Sequence, residues 1–247
     1  MSSLGDAPPP YGTVVFDCDS TLSAIEGIEE LAGDALGAEL VELTSAAMDG
    51  RVPLEAVYGH RLALVRPSRE DVRRVGELYV ENALPHAREL CAALCDLGKR
   101  VCIVSGGLLP AVARLGSELG IAPGRIRAVD LHWDTEGAYA GFEEGSPLAR
   151  AGGKIDVLTS IAGERGAGPV AFVGDGATDL EAAHLAARFI AYGGVVRRPT
   201  VFQAARVRCD APDLAALVPL LFSPLEMATL AETGHHSGLL TAARSQA

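Results

Sequence analysis

The sequence predicts an α/β fold: a doubly wound parallel sheet with a helical segment inserted after its first strand. Three observations carry that expectation. Four short apolar runs, residues 13–16, 100–104, 170–173 and 188–192, each end in small or polar residues. Helical patterns alternate with them, and strand-then-helix repetition builds a parallel sheet covered on both faces. Finally, about eighty residues separate the first two runs, far more than one crossover helix needs.

The first run leads into Asp17-Cys18-Asp19-Ser20-Thr21. Side chains alternate along a strand, so Asp17 and Asp19 lean the same way and Cys18 the other. Paired acids there suit a divalent cation, a nucleophile or proton exchange. Residues 25–36, 39–48, 54–64 and 68–84 then read as helices, the last opened by Ser68 and Asp71 in a capping-box pattern. The expected division is an α/β core of residues 1–20 and 84–222, a helical cap of 21–83, and a tail of 223–247. The cap is positioned to exclude water and choose the substrate. The tail reads equally as a docking helix or a frayed end.

Further helices are expected at 86–97, 110–119, 155–164 and 178–187, and a β-hairpin over 125–142 around Asp134-Thr135-Glu136-Gly137. Asp130, His132 and Asp134 share one hairpin face, which reads as a solvated face rather than a metal cluster. Lys99 and Lys154 are the two lysines beside nineteen arginines. Lys99 sits in a surface-like turn. Lys154 follows Gly152-Gly153 at a helix start, where a compact point charge suits an anion.

Composition excludes several classes. A formal net charge of −11 opposes general binding to nucleic acid or anionic membranes. No apolar run reaches the ~18 residues of a membrane span, and the first residues lack a signal-peptide pattern. Five cysteines in mostly apolar surroundings suggest reduced thiols and a cytoplasmic setting, with Cys91 and Cys95 as small hydrophobes rather than zinc ligands.

Gly174-Asp175-Gly176-Ala177-Thr178-Asp179 follows the third run and adds two acids at the same sheet edge. Four clustered carboxylates call for a cation, and all-oxygen donors favour Mg²⁺. Ser105-Gly106-Gly107 offers a hydroxyl and free backbone N–H groups as an anion cradle. A metal, a cradle, a lysine and an ionised acid describe phosphoryl transfer.

Together Phe16-Asp17-Cys18-Asp19-Ser20-Thr21, Ser105-Gly106-Gly107, Lys154 and Gly174–Asp179 resemble the four motifs of the haloacid dehalogenase superfamily. The similarity continues through residues 25–31, 47–53, 61–64, 140–142 and 152–154, spanning roughly 12–220. The resemblance implies a Rossmann-like core and hydrolysis of a small phosphomonoester, O-phospho-L-serine, with Asp17 as nucleophile and Asp19 as acid and base. It implies Mg²⁺ held by Asp17, the Asp19 backbone carbonyl and Asp175, supported by Asp179. Ser105, Gly106 and Lys154 would bind the phosphoryl group; Glu26, Met48, Arg61 and Thr178 would meet the rest of the substrate. On the residues alone, Glu26 and Arg61 also fit solvated helix positions, Met48 lid packing and Ser105 a helix cap. Leu54 stands where the family often has Phe, which bears on lid packing and substrate stringency. The alternatives are a related phosphatase or phosphotransferase on another amino phosphoester, or a non-catalytic sensor of a phosphorylated metabolite. The chain is expected to be a monomer or homodimer.

Overall fold

The computed structural model describes residues 8–32, 37–49 and 51–246. Along the chain, β1 (Thr13–Phe16) is followed by α1 (Gly37–Met48), α2 (Leu54–Val65) and α3 (Arg69–Glu81). Then come α4 (Ala87–Asp96), β2 (Arg100–Leu108), α5 (Leu109–Glu118) and β3 (Ile126–Val129), and a hairpin of β4 (Leu131–Trp133) and β5 (Tyr139–Phe142). After α6 (Gly153–Gly163) the chain runs through β6 (Val170–Gly174), α7 (Ala177–Ala182), β7 (Arg188–Tyr192), α8 (Pro199–Ala204) and β8 (Val207–Cys209). It closes with α9 (Val218–Leu221), α10 (Pro224–Thr233) and α11 (Ser237–Ser245).

The sheet runs β3-β2-β1-β6-β7-β8, with every pairing parallel. β1 is a Thr-Val-Val-Phe run buried throughout, as a central strand covered on both faces must be. It pairs Thr13 with Arg100 on one side and with Val170 on the other. The order moves outward from β1 to β3, then resumes on the opposite side with β6. The reversal between β1 and β6 opens the crevice where sheets of this kind bind ligands.

The inserted helical segment leaves and rejoins the sheet through one neck. Ser23 and Ala83 form an antiparallel bridge, the Ala24 N–H donates to Asn82 O at 2.9 Å, and the Leu84 N–H donates to Leu22 O at 2.9 Å. Within the segment, α3 starts on the expected box: Ser68 Oγ accepts from the Asp71 N–H while Asp71 accepts from the Ser68 N–H.

Several expectations need correction. The chain over 25–32 is not a helix but a loop with one 3-10 turn, Glu29–Leu31; residues 33–36 lie outside the described part. The helix expected over 178–187 ends at Ala182 and gives way to a 3-10 turn, Ala183–Leu185. Only the latter part of 125–142 is a hairpin, because Ile126–Val129 joins the main sheet as an edge strand. That strand and β8 at the other edge are short, with exposed positions, so neither carries the continuous apolar signal of the four inner strands.

Lys99 is buried rather than on the surface. Its ammonium donates to Tyr11 O at 2.8 Å and meets Glu226 Oε1 at 2.5 Å. Glu226 closes a capping box with Ser223 at the start of α10, so the pair ties the C-terminal helices to the core. His236 reinforces the joint through Asp96 at 2.9 Å, while Leu230, Leu239 and Leu240 are buried. Residues 224–245 are therefore docked helices. All five cysteines are free thiols, and Cys95, unlike the others, is exposed.

Removing one partner of a buried ion pair strands the other charge, which costs about 3 kcal/mol or more. Lys99→Met is therefore expected to lower the unfolding free energy by about that amount. Urea denaturation should register the loss, and limited proteolysis should cut first within α10 and α11.

Candidate active site

Asp17 continues β1, its N–H donating to Val173 O at 2.9 Å, and brings its carboxylate to the crevice beside β6. Oδ1 accepts from the Cys18 N–H at 2.7 Å, and Oδ2 meets Lys154 Nζ at 2.7 Å. Lys154, from the first turn of α6, also donates to Asp179 Oδ1 at 2.6 Å. Asp179 lies in the first turn of α7, where Oδ2 accepts the Gly176 N–H at 2.9 Å. Gly174 is required for this approach, since a Cβ there would lie 2.3 Å from the Asp179 carboxyl carbon. Burial depresses the Lys154 ammonium, but Asp17 and Asp179 outweigh it and hold the group protonated above its ordinary range.

Asp175, just beyond β6, accepts from Thr21 Oγ1 at 3.2 Å and from Arg198 Nε at 2.9 Å. Arg198 also reaches Glu26 Oε1 and Asp49 Oδ1, each at 3.4 Å. Burial and the neighbouring Asp17 push the Asp175 carboxyl up to about 6, against the pull of Arg198. Asp179 is raised by burial as well, and Lys154 opposes the shift.

Asp19 turns a different way. Oδ1 accepts the Gly27 N–H at 2.7 Å and the Tyr79 hydroxyl at 2.5 Å; Oδ2 accepts from Ser105 Oγ at 3.3 Å. Gly27 makes room for this clamp, because a Cβ would lie 2.1 Å from the Tyr79 hydroxyl. Burial and the charge of Asp17 raise the Asp19 carboxyl above its usual range, the two donors notwithstanding. Ser20, in the left-handed region at φ 51, turns the chain so that its hydroxyl donates to Glu26 Oε1 at 2.7 Å. Burial raises Glu26 strongly, reinforced by Asp19 and Asp175.

One pocket gathers Asp17, Asp19, Glu26, Met48, Arg61, Gly106, Lys154, Asp175 and Thr178, with Leu54 on its wall. Ser105 lies beside it through Asp19, and Asp179 lies behind Lys154. Arg61 reaches in from α2. Its Nη1 donates to Thr44 Oγ1 at 3.0 Å, while its buried Nε is the side-chain polar atom without a hydrogen-bond partner among the described residues. Asp130, His132 and Asp134 lie outside the pocket, on exposed positions of the hairpin.

Arg198 and Tyr79 escape the sequence reading. Pro199 at the first turn of α8 marked Arg198 as a helix-start residue, and Tyr79 shares the apolar stripe of Val72 and Val75 while carrying a hydroxyl. Both signals were present but ordinary.

The buried carboxylates of Asp17, Asp175 and Asp179 offer oxygens within 4.8 Å of one another. This all-oxygen, strongly negative donor set fits a hard divalent cation. The Asp19 side chain stands apart from that triad, held by Gly27, Tyr79 and Ser105.

A doubly wound sheet with paired acids at its reversal, a lysine bridge and an inserted helical segment defines a class. The sequence profile of haloacid dehalogenase-like hydrolases matches residues 14–184, and the chain belongs to that family. It is similar, more particularly, to the phosphoserine phosphatases of Bos taurus and Homo sapiens, each 40% identical over 190 residues, 76% of this chain and 84% of the relative. Its fold matches that of a substrate-bound phosphoserine phosphatase complex with a TM-score of 0.76 at 26% identity, covering 87% of this chain and 100% of the other. A phospho-aspartyl intermediate analogue of phosphoserine phosphatase matches with a TM-score of 0.75, also at 26% identity and with the same coverage. No helix among the described residues is long and apolar enough to cross a membrane.

The raised Asp175 carboxyl sets a pH dependence. Its pKa in the fold, about 6, exceeds the ordinary 3.8, so the proton-bound form is favoured by folding. This group's contribution to stability is therefore complete below pH ~4 and lost as pH rises through ~6. A metal ion competes with that proton. Titration calorimetry is expected to show divalent-cation affinity weakening as pH falls through ~6, with proton release on binding near that pH.

Proposed function

We propose that the chain hydrolyses O-phospho-L-serine to L-serine and phosphate, the last step of serine biosynthesis, through an aspartyl-phosphate on Asp17. One observation carries the reading: a carboxylate aimed by Lys154 and a buried guanidinium with an unused N–H share one pocket. The first suits a phosphoryl group and the second a substrate carboxylate, for which a planar fork of donors is well matched. The relatives' names point the same way.

In this reading an Asp17 oxygen attacks phosphorus while Asp19 donates a proton to the departing serine oxygen. Asp19 then takes a proton from water, whose oxygen attacks the aspartyl-phosphate, releasing phosphate and restoring Asp17. A raised Asp19 carboxyl suits a group that must alternately hold and yield a proton. Ser105, the Gly106 backbone and Lys154 bind the transferring group. Glu26 accepts from the substrate ammonium, Arg61 donates to its carboxylate, and Met48 and Thr178 line the approach. Mg²⁺ is the cation proposed for Asp17, Asp175 and the Asp19 carbonyl, with Asp179 in support, and it supplies positive charge against the phosphoryl oxygens. Residues 21–83 serve as the lid over this site. The setting is cytoplasmic, and the working unit is a monomer or homodimer without nucleic-acid or membrane partners.

Asp17→Asn is expected to abolish turnover while leaving the circular dichroism spectrum unchanged, because an amide does not attack phosphorus. Chelator should stop the wild-type reaction and Mg²⁺ should restore it; full activity in excess chelator refutes the metal requirement. For the substrate, Arg61→Ala should lower kcat/KM for phosphoserine by about 100-fold, the loss of a charge-assisted contact of ~2–3 kcal/mol, yet spare p-nitrophenyl phosphate. A panel of phosphorylated metabolites run with both proteins decides the assignment. Equal losses on both substrates, or a non-amino phosphate as the best substrate, overturn it.

A further inference from the structure

Tyr58 touches both ends of the pocket and is used by neither of the roles above. It projects from α2 and is buried, 1% exposed, against the ring of Phe142 at 5.4 Å between centroids. One turn further along the same helix face, the Arg61 guanidinium carbon lies 5.4 Å from the centre of the Tyr58 ring. At the opposite end its hydroxyl donates to Gly106 O at 2.8 Å.

We propose that Tyr58 is a positioning residue for the whole substrate: its hydroxyl fixes the Gly106 peptide of the phosphate cradle, and its ring seats the Arg61 guanidinium. The inference rests on the reading of Gly106, Ser105 and Arg61 given under Proposed function.

A peptide group is planar, so the carbonyl of Gly106 and the N–H of Gly107 point in opposite directions. Two successive glycines leave that plane free to rotate unless something holds it. Tyr58 holds the oxygen, and the Gly107 N–H consequently meets Ser105 Oγ at 2.8 Å. With that lone pair engaged, the Ser105 hydroxyl hydrogen is directed to Asp19 Oδ2 at 3.3 Å. One hydroxyl on an inserted helix thus orders the cradle and the serine that faces Asp19. Burial, aided by the charge of Asp19, keeps the phenol protonated far above neutral pH, so it remains a donor throughout the working range. The ring's other contact suits a positive group, because an aromatic face attracts a guanidinium most strongly where water is excluded.

The two contacts separate by substitution. Tyr58→Phe keeps the ring and deletes the hydroxyl. It should lower kcat about tenfold on phosphoserine and on p-nitrophenyl phosphate alike, with the phosphoserine KM held within about twofold. Tyr58→Leu deletes both contacts and should add a roughly fivefold rise in KM for phosphoserine but none for p-nitrophenyl phosphate. This split between kcat and KM, at an unchanged melting temperature for Tyr58→Phe, is not what a packing role produces. Wild-type kcat in Tyr58→Phe on both substrates overturns the proposal, as does an equal KM rise on both substrates in Tyr58→Leu. A wild-type protein that turns over p-nitrophenyl phosphate but not phosphoserine instead overturns the substrate reading. The Tyr58→Phe comparison on p-nitrophenyl phosphate then still decides the cradle contact.

Discussion

Crowding of buried negative charge between β1 and β6 is the constraint on which the rest of this molecule depends. Asp17, Asp175 and Asp179 converge there within 4.8 Å, at the one crevice the strand order opens. At that separation two like charges repel by about 3 kcal/mol even with an effective dielectric of 20. Lys154 bridges Asp17 and Asp179, and Arg198 holds Asp175. These ligands of charge come from five separate places: the ends of β1 and β6, the first turns of α6 and α7, and the loop after β7. The cluster therefore assembles only when both halves of the sheet are in place.

Against that charged floor, the inserted helices contribute a different kind of chemistry. From them come Tyr79, which fixes one oxygen of Asp19, and Arg61, whose guanidinium is buried by its neighbours. Glu26 belongs to the loop between the neck and the first of these helices and is bound to the core, through Ser20 and Arg198. The sheet thus supplies fixed charge, while the insertion supplies directed hydrogen bonds. The division follows from geometry: strand ends converge on one crevice, whereas helix faces look down on it from above.

Much of this was legible in the sequence. Asp17, Asp19, Lys154, Asp175 and Asp179 stand beside strand ends or helix starts that short apolar runs and glycines mark without ambiguity; Asp17, Lys154, Asp175 and Asp179 cluster, and Asp19 turns aside to Gly27, Tyr79 and Ser105. The four inner strands were legible because strands covered on both faces must be apolar throughout. The edge strands Ile126–Val129 and Val207–Cys209 were not, since an edge alternates and imitates a hairpin or a loop. Lys99 misled for a related reason: beside Gly98 it has the pattern of an exposed turn, and its partner Glu226 lies far away in sequence. Arg198 was hidden the same way, as one arginine among nineteen whose acidic partners appear only in three dimensions. Local pattern reports burial well; it is blind to which distant charges a buried cation will meet.

The neck at Ser23 and Ala83 has a consequence of another sort. Departing and returning segments lie side by side there, so the insertion enters and leaves the core at one place, while α3 and the Tyr58 and Tyr79 hydroxyls reach back to the core from beyond it. The registers of Thr13 with Arg100 and of Thr13 with Val170 lie on the sheet side of that junction. Such a junction acts as a socket. What is plugged in above it both selects what the scaffold is offered and, through Tyr58 and Tyr79, holds two of the scaffold's own groups in place.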